Sequence, residues 1–391
     1  MIVEEELLDR LLQKLDRGRE EQASEPWAPE AWQRRAAAEE LRHDLFGLSA
    51  AERRRLDQRF HSRDLIALLL EDSQAVQIRD PEDAAHLAGL ALLVAEVMRD
   101  KKHLGSDAVV RAGRMQANAL RLLGERLEAE HAFATARFHL DDESPERPFF
   151  CRSLALLRWE QQWLDEAAAL LQHAAFLFHE QQAAEEEGAS LLLLGVLGSE
   201  TTVPGRGLPP LAQGWTLIRP ARHPWLSLCG GFVLAALLGE VGQPGRGRAV
   251  LSEAIALYGS VREESQILQG YRLEAVARAR LGEICHAEEL LDAVRRKQLE
   301  RRDLAELALT SLELGAVRAE LGRAGDVACL GEDLAGFDPE EGGTFAVEAL
   351  AALQAGLAEG RKPRQEAARL AAEFRRLCRL FNSPLEPVSF A

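Results

Sequence analysis

Residues 117–140 read Ala117-Asn-Ala-Leu-Arg-Leu-Leu-Gly124-Glu-Arg-Leu-Glu-Ala129-Glu-His-Ala-Phe133-Ala-Thr-Ala136-Arg-Phe-His-Leu140. Apolar positions recur at three- and four-residue spacing on both sides of Gly124, which predicts two helices joined at that glycine. The small residues Ala117, Gly124, Ala129 and Ala136 fall where two antiparallel helices would touch, and Phe133 fills the space between them.

The same pattern returns along the chain. With Gly124 as the marker of the turn, the next turns fall at Gln162, Thr202, Gly242, Gly282 and Gly322; the step from 124 to 162 is 38 residues and each later step is 40. Five positions after the later markers stand Ala167, Gly207, Gly247, Ala287 and Val327, and nine positions after them Leu171, Leu211, Leu251 and Leu291. Twelve positions after them stand Ala174, Gly214, Ala254 and Val294. One small–large–small seam is repeated at a fixed stride, which predicts helix pairs that bury their apolar faces by stacking on their neighbours.

Around this array the pattern is less regular. Leu7, Leu8, Leu11, Leu12 and Leu15 give residues 2–17 a helical stripe, and Arg17–Pro29 is charged and carries two prolines, as a linker would. Helices are expected over Trp32–Phe46 and Ala50–Phe60, the second capped by Ser49 with Glu52 in its first turn, and Arg53-Arg54-Arg55 is read as a solvated face. Asp64–Ile78 and Glu82–Met98 form a pair broken at Asp80-Pro81, while Pro204, Pro209 and Pro210 are expected to interrupt the helix over 200–215. A last pair, Thr344–Glu359 and Pro363–Phe381, has Arg375, Arg376 and Arg379 on a polar capping face. The predicted organisation is a helical module over 1–60, with a linker near 17–29, and an array of about seven helix pairs over 61–391.

Composition narrows the function. The chain has 391 residues, 47% of them apolar but only 6% aromatic, and its Ala/Leu/Glu/Arg runs leave few β-branched segments, so an all-helical chain is expected. With 47 basic and 63 acidic residues the net charge is −16, which disfavours nonspecific binding to nucleic acid or to an anionic membrane. The five cysteines (Cys151, Cys229, Cys285, Cys329 and Cys378) are scattered and odd in number, as free thiols in a reducing cytoplasm would be. The longest apolar run, Leu226–Gly239, is short of the ~20 residues a membrane span needs and predicts a helix buried on most sides. The acidic start, Met-Ile-Val-Glu-Glu-Glu, has neither the basic flank nor the apolar core of a secretion signal.

Motifs for catalysis or metal binding are incomplete. His179-Glu180 opens like a zinc-protease helix, but Ala183 stands where the second histidine is required. Cys285-His286 with Glu289 lacks further ligands at useful spacing. The glycine clusters at Gly205–Gly207 and Gly242–Gly247 are not followed by Gly-Lys-Ser/Thr and are not preceded by a strand. No catalytic residue, metal or cofactor is predicted.

Ala129-x3-Phe133-x2-Ala136, with Asn118 and Gly124, resembles the tetratricopeptide-repeat superfamily in a longer-helix form, and the resemblance covers roughly residues 62–381. It implies a right-handed all-α solenoid of antiparallel helix pairs whose first helices line a concave groove. Carrying the family's inward positions onto this sequence, one first helix presents Arg111, Arg114, Asn118 and Arg121, and the next presents Phe149, Arg152, Leu156 and Trp159. The pair at 268 adds Gln269 and Arg272.

Arg114 and Asn118 match two positions of the clamp with which some members hold a peptide carboxylate, but Ser153 and Leu193 stand where its other partners would be. The candidate peptide-binding residues are therefore Arg111, Arg114, Asn118, Arg121, Arg152, Trp159 and Arg272, with Arg114 and Arg121 facing solvent unless these arginines pair internally with glutamates of neighbouring helices, and the expected partner is a protein or peptide, an acidic one included. The implied function is a non-enzymatic, cytoplasmic, bacterial-type interaction scaffold or adaptor, or alternatively a peptide-responsive regulator whose N-terminal helices contact an effector. Neither nucleic acid nor membrane is an expected partner.

Overall fold

Ser62, Asp80 and Asp303 each end a loop by accepting a hydrogen bond from the backbone three residues on, at Leu65, Asp83 and Glu306, so that helices begin where the sequence offers a cap. The structure, a computed structural model, describes residues 29–53, 55–77, 80–101, 105–199, 205–337 and 343–381. The helix expected over 2–17, most of the linker after it, Thr202, Pro204 and the end of the chain lie outside the described residues, as do the side chains of Arg375, Arg376 and Arg379.

Two compact units divide the described chain between Leu177 and Phe178. The N-terminal unit holds α1 (Pro29–Phe46), α2 (Arg63–Val76), α3 (Pro81–Asp100), α4 (Ser106–Leu123), α5 (Arg126–Phe138), α6 (Arg147–Glu160) and most of α7 (Leu164–Glu180). The C-terminal unit holds α8 (Ala184–Ser199), α9 (Leu208–Leu217), α10 (Pro224–Glu240), α11 (Pro244–Ile255), α12 (Glu264–Arg280) and α13 (Ile284–Arg301). It ends with α14 (Leu304–Glu320), α15 (Val327–Leu334), α16 (Gly343–Ala358) and α17 (Pro363–Phe381). No strand occurs among the described residues, and none of the described helices is long and apolar enough to cross a membrane.

Within each unit the helices pack as successive antiparallel pairs, each first helix also meeting the first helix of the next pair, as α4 meets α6 and α12 meets α14. Five of the turns between paired helices close in one way. At Gly124 the backbone is left-handed, φ +90°, and the next amide, Glu125 N–H, donates to the Leu120 carbonyl at 3.0 Å. The same closure follows Gly242, Gly282 and Gly322, and it follows Gln162, where a non-glycine residue sits at φ +64°. Thr202 is not described, and Gly205 takes a left-handed conformation close by.

The seam is buried as its spacing predicts. Ala129, Phe133 and Ala136 are enclosed, and the Phe133 ring meets Phe150 edge-on at 5.6 Å. Ala167, Ala287 and Val327, and behind them Leu171, Leu211, Leu251 and Leu291, are all buried. α10, the apolar run, has Leu228, Phe232 and Ala235 fully enclosed.

Two expectations are corrected. Pro209 and Pro210 do not interrupt a helix: α9 starts at Leu208 and its first turn accommodates proline, whose missing N–H has no partner to lose there. The helix expected over 50–60 is a single turn, Ala50–Arg53, followed by a 3-10 turn, Gln58–Phe60. Ser49 and Glu52 do form the reciprocal cap. A run of arginines gives the segment little apolar face to bury, and it ends where Leu56 and Phe60 drop into the core.

Candidate functional site

α4 and α6 are the first helices of neighbouring pairs, and their facing sides bring the predicted arginines together. Arg111 is exposed and makes no ion pair among the described residues. Arg114, one turn on, has a side chain only 16% exposed. Its Nη2 donates to Glu146 Oε2 at 3.4 Å and its Nη1 to Ser153 Oγ at 3.4 Å, while its Nε is buried with no hydrogen-bond partner. The guanidinium lies 5.5 Å from the Phe149 ring centre, and that of Arg152 lies 5.5 Å from the same ring.

Burial holds the Arg114 guanidinium below the ordinary arginine range; Glu146 opposes this, and Arg152 and Arg111 add to it. Glu146 stands just before α6 and makes no capping bond with its side chain. Its backbone N–H donates to Ser144 Oγ at 3.2 Å, and that hydroxyl donates to Asp107 Oδ1 at 2.5 Å in the first turn of α4, which carries Glu146 to Arg114.

The rest of the predicted face is engaged differently. Asn118 donates through Nδ2 to Gln77 Oε1 at 3.3 Å and accepts at Oδ1 from Arg121 Nε at 3.1 Å. Arg121 pairs with Glu160, and its side chain is 9% exposed. Arg114 and Arg121 therefore do not face solvent as expected: spacing puts them on one face of α4, but α6 and its preceding loop cover that face and supply carboxylates. Trp159 is half-buried in the last turn of α6.

Arg272 lies in the C-terminal unit, buried on α12, with Nε on Glu306 at 3.2 Å and Nη1 on Glu313 at 2.8 Å. Burial would lower its pKa, but Glu313 and Glu306 together raise it above the ordinary value. The structure thus gathers Arg114 and Arg152 at Phe149, with Arg111 one turn along α4, and ties Asn118 to Arg121 in a second network.

Glu146 was not among the predicted residues. Its approach to Arg114 depends on the path of the loop between α5 and α6, and no helical spacing links residues 32 apart. Among the described residues no group of three or more His, Cys, Asp or Glu could hold a metal ion.

A Rap protein complexed with Competence and Sporulation Factor superposes on 81% of this chain and 97% of its own, with TM-score 0.56 and 12% identity. The fold is tetratricopeptide-like. The apo form of RapI covers 80% of the chain at TM-score 0.49 and 14% identity. A Podosopora anserina kinesin light chain with nearly identical TPR-like repeats covers 61% at TM-score 0.28 and 18% identity. No protein-family model matches the sequence, and no curated protein matches it. The tetratricopeptide-like fold explains why α4 and α6 lie side by side: each pair repeats the placement of the one before it.

Proposed function

We propose that this chain is a non-enzymatic, cytoplasmic adaptor or regulator that binds a peptide segment of a partner on the wall formed by α4 and α6. One observation carries the reading: Arg114 and Arg152 gather at Phe149, with Arg111 one turn along α4 and Glu146 as the carboxylate paired to Arg114, in a chain of net charge −16. Guanidiniums beside an aromatic ring suit a peptide, whose carboxylates and backbone carbonyls accept hydrogen bonds. The likeness to a Rap protein in complex with Competence and Sporulation Factor lends support. In this reading residues 61–391 form the repeat array and residues 1–60 a helical N-terminal module.

The test is selection of a random peptide library on the full chain, followed by competition with the selected peptides. Arg111→Glu should weaken capture at least tenfold at unchanged melting temperature, because Arg111 is exposed and bonded to no neighbour. A library without enrichment, or enrichment indifferent to Arg111→Glu, would count against this wall. A second reading, in which residues 1–60 contact an effector and peptide binding reshapes the array, draws on the same Rap likeness. Under it, small-angle scattering of the chain changes when a selected peptide is added; an unchanged profile leaves the adaptor reading alone.

A further inference from the structure

A guanidinium holds a carboxylate best side-on, through parallel bonds from Nε and Nη2. On that edge of Arg114 only Nη2 reaches Glu146, at 3.4 Å, and Nε makes no bond although it is buried. A buried N–H of a charged group is costly to leave unmade. Glu146 fills half of the position that a better-placed carboxylate would fill entirely.

Glu146 is itself loosely held. Its carboxylate has no partner besides Arg114 among the described residues, it sits at the end of a loop, and it is not used to cap α6. Arg152 stands over the same ring as Arg114, and Arg111 is exposed one turn away on α4.

We infer that Arg114 is a carboxylate-exchange site: an aspartate or glutamate side chain of an acidic peptide displaces Glu146 and takes the Nε–Nη2 edge, with the exposed Arg111 one turn away for a neighbouring carboxylate. Glu146 is then a built-in competitor that neutralises Arg114 while the site is empty and sets how strong an incoming ligand must be. Asn118 and Arg121 stay outside the site because Gln77 and Glu160 occupy them. The inference rests on the peptide-binding reading above and names its ligand class.

The probe is fluorescein-labelled hexaglutamate, followed by polarisation with the full chain, with labelled hexaglutamine as the uncharged control. Hexaglutamate should bind, more weakly as salt rises. Glu146→Gln should tighten binding about tenfold by removing the competitor. Arg114→Lys should weaken it at least tenfold although the charge is kept, since an ammonium has no side-on edge.

Binding that ignores either substitution overturns the site, and so does equal binding of hexaglutamine. Inorganic phosphate or glutarate displacing the probe as effectively as unlabelled hexaglutamate overturns the peptide assignment in favour of a small anion. Should Glu146→Gln fail to fold, the unaltered chain decides: hexaglutamate must raise its melting temperature and hexaglutamine must not, and the absence of that rise overturns the inference. Library peptides that bind the parent and Arg114→Lys equally would remove this site and leave the peptide-binding reading standing. A library without enrichment would remove that reading while the Arg114 and Glu146 dependence of hexaglutamate binding stood.

Discussion

Arg272 and Arg114 are both mostly buried guanidiniums, and they differ in what neutralises them. Arg272 has two carboxylates, Glu306 at 3.2 Å and Glu313 at 2.8 Å, whereas Arg114 has one at 3.4 Å and an unbonded Nε. Removing Arg272 would leave two carboxylates facing each other in a desolvated place. Arg272→Met is therefore expected to cost about 3 kcal/mol in urea unfolding, with much of it recovered when Glu313→Leu is added.

Tyr258 gives a pH dependence whose sign is fixed. Its hydroxyl donates to Glu274 Oε2 at 3.1 Å, and burial first, then the Glu274 charge, raise its pKa well above the ordinary phenol value. Below that ordinary value, about 10, the phenol is neutral whether folded or unfolded. Above it only the unfolded chain loses the proton, so stability falls as pH climbs from there toward the folded pKa. Unfolding curves between pH 9 and pH 11 should show this decline, and Tyr258→Phe should flatten it. The thiols separate by burial in the same way: Cys285 and Cys329 are exposed, and burial raises the pKa of Cys229 and Cys151. Brief iodoacetamide treatment of the folded chain should label the first two, and label Cys151 and Cys229 only after unfolding, as peptide mass spectrometry would show.

At the scale of elements, the α8–α9 pair is held at closer range than an ordinary helix pair. A Cβ added at Gly195 would stand 2.5 Å from the Leu211 Cβ and 2.7 Å from its backbone, and one at Gly214 would stand 2.7 Å from the Gly188 carbonyl oxygen. Backbone cannot retreat as a flexible side chain can, so Gly195→Ala is expected to destabilise by about 3 kcal/mol. Gly245→Ala, in the first turn of α11 with nothing near the new methyl, should be neutral or stabilise by up to ~1 kcal/mol. Thermal melts of the two variants side by side would separate close packing from helix propensity. The same pair shows where proline was misjudged: Pro209 is harmless in the first turn of α9 because the helix starts one residue earlier, a boundary that tertiary packing at Gly207 sets. Gln162 shows the converse. Register in part marks it as a turn, and its backbone is left-handed there without glycine's freedom. Gln162→Gly should therefore stabilise the α6–α7 turn by about 0.5 kcal/mol.

Taken whole, the chain is a succession of helix pairs in which ion pairs bridge residues about one repeat apart, as Arg121 with Glu160 and Arg280 with Glu240. Such arrays lose stability locally, because each pair rests only on its neighbours. Gly195→Ala should speed amide exchange in α8–α11 while α14–α17 keep their protection; a uniform rise across the C-terminal unit would argue for a single cooperative block. The stacking of helix pairs could be read directly from the residues, since Ala129, Phe133, Ala136 and their counterparts report contacts between helices adjacent in the chain, and local spacing is enough to place them. Which charges remain for a partner could not be read that way. Arg111, Arg114 and Arg121 share one face of α4 by spacing, yet one is exposed, one is half-satisfied by Glu146 and one is closed off by Glu160. That difference comes from where α6 and the loop before it lie against α4, and the pairing of charges across separate elements is decided only when they have packed.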